Sequence, residues 1–372
     1  MTTFLKATEI GTRGATTLAG RYYTSPEIYR EEQDRIFSRR WVCAAREDEI
    51  PSPGDYLLRT IAGESIIVLR DRAGGLRAFF NVCRHRGTRM CEAERGQLGD
   101  VIRCPYHSWT YGLDGRLLRA PSMSDLDGFD RNDYPLHAAG IASWEGWIFV
   151  SLDPERESFA QAFAPLIGKF ARFNLRSLAV ARRVTYDVRA NWKLVVQNYS
   201  ECYHCSLVHP ALVRLTPAQS GENDLINGPF LGGYMTISAA GGTLSVSGRA
   251  CGLPVGDLPA EDQQRVYYYS FFPSMLLSLH PDYVMAHTLW PDGPERTVVE
   301  CSWLFNPESL GNPAFEPDDA VRFWDETNRQ DWHVCELSQQ GVSSRMYRPG
   351  PYSPRESISA AFDREYLKAM KR

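Results

Sequence analysis

Two short stretches, "CRHRG" (83–87) and "CPYHSWTY" (104–111), constrain this chain more than anything else in it. Each supplies one cysteine and one histidine: Cys83 with His85, and Cys104 with His107. Thiolates and imidazoles together select a borderline-soft metal. One solution is structural zinc in a closed Cys₂His₂ site. Zinc sites of that kind usually pair like with like, as C-x-x-C and H-x₃₋₅-H. Mixed halves suit instead a [2Fe–2S] cluster with two cysteines on one iron and two histidines on the other, each loop giving one ligand to each iron. The neighbours agree with tight metal loops: Gly87 permits a sharp turn and Pro105 stiffens the second loop. Tyr106, Ser108 and Trp109 offer shielding and hydroxyl donors.

The chain around this quartet reads as β structure. Runs such as "DYLLRTI", "SIIVLRD", "LRAFFNV", "VIRCPY" and "GWIFVSL" are separated by Gly, Pro and Asp turns. An all-β module is therefore expected over 41–154. With 372 residues the chain has room for a second domain, and 1–40 with 155–372 mix helical and strand patterns in an α+β texture. Ser25 and Pro26 in "TSPEIYREEQDRIFSRRW" (24–41) predict a helix start. A long helix is predicted over 316–341, closed by Gly341.

Composition excludes several roles. A formal net charge of −4 argues against nucleic acid or an anionic membrane as the main partner. No apolar run approaches the roughly 20 residues of a membrane span. The N-terminal "MTTFLKATEIGTRGATTLAG" lacks a secretory apolar segment, so a cytoplasmic location is expected. Nine cysteines, an odd number, suggest ligands and buried thiols rather than a disulfide framework. Cys43, Cys91, Cys251 and Cys301 read as buried hydrophobes.

A second metal constellation lies in "NYSECYHCSLVHP" (198–210). On a regular helix His204 and His209 would stand about 140° apart, too far round to share one ion. Pro210, however, drives His209 out of the helical region, freeing it to return beside His204. Glu201 is expected on the same helical face as His204. Cys202 and Cys205 read as inert, because Tyr203 and His204 separate them. An open Fe(II) site needs one carboxylate beside two histidines. On the long helix Asp331 sits mid-stripe, with Trp324, Thr327, Val334, Cys335 and Ser338 within about 60° of it. Asp325 and Glu336 are poorer candidates, suited to a solvated face.

"CRHRG…CPYHSWTY", "NWKLVVQNYSECYHCSLVHP", "RQDWHVCELSQQG" and "RMYRPGPYSPRES" together resemble the Rieske non-haem iron aromatic-ring-hydroxylating oxygenases, large-subunit type. Cys91 does not match the extra disulfide cysteines of respiratory-chain Rieske proteins. The resemblance implies an α+β architecture: an all-β Rieske domain plus a catalytic domain with an antiparallel sheet and covering helices. It implies Cys83, His85, Cys104 and His107 as ligands of a [2Fe–2S] cluster, and His204, His209 and Asp331 as ligands of mononuclear Fe(II).

Most family members carry aspartate three before the first iron histidine; this chain has Glu201. By likeness, Glu201 joins His204 to His107 of a neighbouring chain in a homotrimer, and Asn198 lines the same path. Glutamate there resembles the branch that oxidises choline, glycine betaine and carnitine. A quaternary ammonium has no N–H, so aromatic faces and carboxylates must bind it; Tyr267, Tyr269, Phe271, Tyr283, Trp290 and Trp303 are available, although most of this run reads as sheet core and alternation turns about half of it toward a cavity. His280 and His287 read as core or pocket residues, not ligands. The expected activity is that of a terminal oxygenase using O₂ to hydroxylate a carbon next to nitrogen. The alternatives are an aromatic-ring hydroxylase or O-demethylase with the same metals, and a non-catalytic Rieske electron carrier. No G-x-G-x-x-G motif is present, so a separate NADH-dependent flavin- or ferredoxin-type reductase is expected.

Overall fold

The structure is a computed structural model describing residues 3–239, 241–313 and 315–371. It divides into two compact units, Gln33–Phe163 and Met1–Glu32 with Ala164–Arg372. No helix among the described residues is long and apolar enough to cross a membrane.

The unit 33–163 is built from short antiparallel strands. One sheet runs Leu76–Phe80, Glu64–Arg70, Asp55–Ile61, Arg95–Gln97; a second runs Val101–Arg103, Thr110–Gly112, Leu117–Arg119. A third pairs Gly140–Trp144, Trp147–Ser151 and Val42–Arg46. Leu58, Ile67, Phe79, Ile102, Trp109 and Tyr111 form a core that also includes Cys83 and Cys104. The quartet thus rests on packed apolar side chains.

The second unit centres on an eight-stranded sheet, antiparallel throughout. Its order is Leu5–Lys6, Glu222–Leu225, Phe230–Thr236, Arg265–Phe271, Met275–Leu279, Val284–Pro291, Thr297–Phe305, Ala179–Val188. Six helices matter to the site: α1 (Pro26–Glu32), α2 (Trp192–Tyr199), α3 (Cys205–Val208), α4 (Pro210–Leu215), α5 (Asp318–Val342) and α6 (Ser357–Met370). Ser25 accepts the Ile28 N–H at the start of α1, as the Ser-Pro signal predicts. Helix α5 passes through Gly341 and stops one residue later. Gly341 lacks the positive φ of a helix-ending glycine, so the expected stop is corrected.

Helix α2 is pinned by a buried polar cluster. Glu32 of α1 accepts hydrogen bonds from Lys193 Nζ (2.5 Å), Trp192 Nε1 (2.9 Å) and Tyr366 OH of α6 (2.7 Å). Lys193 and Glu32 are both fully buried. Removing one partner would strand the other charge, at a cost of about 3–5 kcal/mol. This fixes the helix from which the 200–204 turn departs.

Candidate metal centres

The two loops of the quartet share one construction. Cys83 N–H donates to Thr88 O (2.9 Å) and Gly87 N–H to Cys83 O (3.0 Å); Cys104 N–H donates to Trp109 O (2.8 Å) and Ser108 N–H to Cys104 O (3.1 Å). Gly87 (φ 72°) and Ser108 (φ 57°) occupy the equivalent left-handed position. Glycine adopts it freely, and Ser108 holds it at some conformational cost.

The turns bring the side chains together in pairs, Cys83 beside Cys104 and His85 beside His107. The His85 and His107 rings lie 4.7 Å apart, with His85 stacked on Trp109 at 4.8 Å and 6°. Nδ1 of both histidines is buried without a hydrogen-bond partner. Burial pushes the Cys83 thiol pKa up, and the neighbouring Cys104 adds to the rise. Two orphaned nitrogens beside two buried free thiols are what a Cys₂His₂ cluster site requires. Tyr111 was missed by sequence reasoning: its hydroxyl lies 3.4 Å from Cys83 Sγ and accepts the Arg84 N–H at 3.1 Å. It stands one strand residue past the motif's Thr110, where core tyrosine is the ordinary expectation.

Helix α2 ends at Tyr199, and the chain turns through 200–204 before α3. Glu201 and His204 therefore do not share a regular helix face, and the expectation drawn from their spacing is corrected. A turn achieves the contact: Glu201 Oε1 is 2.6 Å from His204 Nδ1, while Oε2 accepts the Tyr203 N–H. The same turn brings Cys202 within 4.9 Å (Cα to Cα) of Cys205, and they form a disulfide. The inert-thiol reading is thereby corrected. Pro210 opens α4, leaving His209 outside helical geometry (φ −122°, ψ 68°).

His204, His209 and Asp331 converge, with one donor atom from each within 4.8 Å of the others. Asp331 Oδ1 lies 2.8 Å from His209 Nε2 and 3.2 Å from His204 Nε2. The other ring nitrogens fix the tautomers. A carboxylate can only accept, so His204 Nδ1 carries a proton toward Glu201 and Nε2 faces Asp331. His209 Nδ1 is 2.7 Å from Gln330 Oε1, whose amide is oriented by its NH₂ donating to Glu326 (3.4 Å). Gln330 is a second residue that sequence reasoning passed over, although it adjoins Asp331.

Burial opposes protonation of His204, yet Asp331 and Glu201 raise its pKa to about 10. Burial would raise Asp331, but both histidines hold it below its ordinary value. The three groups thus bind one another's charge where a cation would. Asn198 Nδ2 sits 3.5 Å from His204 Nε2. The rejected carboxylates are occupied elsewhere: Asp325 accepts from Tyr186 OH (2.8 Å) and Arg329 Nε (2.9 Å), and Glu336 from Arg189 N–H (3.0 Å).

The triad opens into a cavity of about 310 Å³ lined by Tyr199, Tyr268, Met285, His287, Trp324, Asn328 and Trp332, with Lys6 and Arg355 also on its wall. That is the small end of ligand pockets. None of the six aromatics nominated from sequence lines it. Tyr267 and Tyr269 lie on the other sheet face, bonded to Asp262 (2.5 Å) and Asp224 (2.9 Å). Tyr283 and Trp303 are fully buried core. Strand alternation leaves Tyr268, between them, facing the site.

Residues 40–130 match the Rieske [2Fe-2S] domain and 175–372 the ring hydroxylating alpha subunit (catalytic domain). The glycine betaine monooxygenase oxygenase subunit of Pseudomonas aeruginosa (strain UCBPP-PA14) is 30% identical over 369 residues, covering 89% of this chain and 83% of the relative. The carnitine monooxygenase oxygenase subunit of Escherichia coli (strain K12) is 37% identical over 198 residues, 53% of each chain. The quaternary ammonium Rieske monooxygenase CntA superposes with TM-score 0.80 at 24% identity, over 96% of each chain. Naphthalene 1,2-dioxygenase from Rhodococcus sp. gives 0.78 at 23%, over 95% and 94%; at these identities the likeness shows the fold alone. The chain belongs to the ring-hydroxylating oxygenase alpha subunits, Rieske non-haem iron oxygenases that join a [2Fe–2S] domain to a mononuclear-iron catalytic domain.

Proposed function

We propose that this protein is the terminal oxygenase of a monooxygenase acting on a small quaternary ammonium compound, hydroxylating a carbon next to nitrogen. The carrying observation is a His204–His209–Asp331 triad opening into a 310 Å³ cavity walled by Tyr268, Trp324 and Trp332. Aromatic faces attract a cation that cannot donate a hydrogen bond. Lys6 and Arg355 on the same wall suit a carboxylate at the substrate's other end. The named relatives act on glycine betaine and carnitine, which have both groups.

Cys83, His85, Cys104 and His107 would hold the cluster, and His204, His209 and Asp331 the iron. When bound, the cluster supplies electrons and the iron an open-sided site for O₂. Glu201 and Gln330 keep the Nδ1 protons, so both Nε2 lone pairs remain directed at the metal position. Glu201, with His204 on one side, would reach His107 of a neighbouring chain in a homotrimer, and Asn198 would line that path. Electrons would come from NADH through a separate flavin- or ferredoxin-type reductase in the cytoplasm. Hydroxylation beside nitrogen yields a carbinolamine, which collapses to an amine and a carbonyl compound.

The test is a substrate panel with a reducing system, scored by O₂ uptake and amine release. Quaternary ammonium compounds should be consumed and aromatic acids left intact. Turnover of the aromatic acids alone would replace this reading by a ring hydroxylase or O-demethylase.

A further inference from the structure

A hydrogen-bond chain beginning at the protein surface sets the proton position on a histidine in the cavity wall. Arg329 Nε donates to Asp325, and Asp325 Oδ1 accepts from Tyr186 OH at 2.8 Å. Having spent its proton, the Tyr186 oxygen accepts from Asn328 Nδ2 at 3.4 Å. The Asn328 amide is thereby oriented, and its Oδ1 faces His287 Nε2 at 3.3 Å. A carbonyl oxygen can only accept, so the His287 proton is on Nε2 and Nδ1 presents a lone pair. His287 is 1% exposed and lines the cavity, and Nδ1 has no partner. Burial holds the imidazole neutral, its pKa lowered to about 4.

An unmatched buried acceptor is costly unless a ligand or water supplies a donor. An ammonium without N–H and a carboxylate supply none. Resting on the quaternary ammonium reading above, we infer that His287 Nδ1 accepts a hydrogen bond from a substrate hydroxyl, so that the site selects hydroxylated quaternary ammonium compounds over their deoxy counterparts.

L-Carnitine and γ-butyrobetaine differ by one hydroxyl and share the ammonium and carboxylate. Their dissociation constants on anaerobic, metal-loaded enzyme, and their kcat/KM values, give the ratio to follow. The wild-type protein should favour L-carnitine by about 10-fold or more, the scale of one unmatched buried polar group. His287→Leu should bring the ratio close to 1. Asn328→Leu keeps the imidazole but frees its tautomer, and should lower the ratio too. General damage to the pocket would weaken both compounds together and leave the ratio standing. Equal affinities in the wild type, or a ratio unmoved by His287→Leu, would overturn the inference and leave Nδ1 to a water, with the quaternary ammonium reading intact. Binding of neither compound would remove that reading and this inference with it.

Discussion

Asp331 Oδ1 lies 2.8 Å from His209 Nε2, although 122 residues separate them in sequence. The contact joins the non-helical residue before Pro210 to the buried side of α5. If this oxygen is an iron ligand, Asp331→Ala should release the mononuclear iron and reduce turnover to background. The visible spectrum of the cluster should persist, because the two ligand sets share no residue. Asp325→Ala and Glu336→Ala should keep their iron and lose only about 1–2 kcal/mol of stability from vacated hydrogen bonds. Iron analysis of the three variants distinguishes the carboxylates.

Gln330 holds the His209 tautomer through a 2.7 Å hydrogen bond. Gln330→Leu removes the acceptor while keeping most of the volume. Supporting groups of this kind are typically worth 10- to 100-fold in metal affinity, and Fe(II) titration should show a loss of about that size. Unchanged affinity would make Gln330 a bystander.

Glu201 should behave differently, since it belongs to neither proposed ligand set. Glu201→Ala should retain both metals yet fail to reoxidise its reduced cluster with substrate and O₂. Glu201→Gln should do less damage if hydrogen bonding is its main role. Glu201→Asp is shorter by one methylene, and a misplacement of about 1 Å can cost on the order of 100-fold. In the proposed homotrimer, mixed assemblies of Cys104→Ala and His204→Ala chains should recover part of the activity. Mixed trimers that assemble and stay inactive would refute transfer across the subunit boundary.

The convergence of His204, His209 and Asp331 was legible because metal chemistry restricts both residue type and spacing. Pro210 announced the release of His209, and the strand runs announced the antiparallel sheet. The route from Glu201 to His204 was not legible. Spacing suggested a helical face, whereas the chain leaves the helix at Tyr199 and a turn makes the contact. The same local ambiguity hid the Cys202–Cys205 disulfide. The pocket wall was not legible for another reason: in "YYYS" every tyrosine suits a strand, and only register decides that Tyr268 faces the site while Tyr267 and Tyr269 face Asp262 and Asp224. Tyr111 closes the cysteine-histidine motif and Gln330 adjoins Asp331, but neither role shows locally, since each acts through a partner distant in sequence.

Asp282 offers a pH test independent of the metals. It is 2% exposed and accepts from Thr243 Oγ1 (2.7 Å) and Cys251 N–H (2.6 Å), yet burial raises its pKa to about 6. The unfolded chain releases this proton near pH 4, so between about pH 4 and 6 the folded state holds more protons. The group's contribution to stability is therefore complete below about pH 4 and lost as pH rises through about 6. Asp282→Asn cannot titrate. Chemical denaturation should show its stability relative to wild type improving across that window, by on the order of 2–3 kcal/mol. A flat difference would mean that Asp282 ionises normally in the fold.

The most direct test of the account is a single turnover without any reductase. Protein with its cluster chemically reduced is mixed with O₂, with and without a quaternary ammonium compound such as L-carnitine or glycine betaine, while cluster absorbance and amine product are followed. The quaternary ammonium compound should accelerate cluster reoxidation, with amine product forming in step with it. Reoxidation at the same rate with and without the compound, and no amine product, would contradict the account.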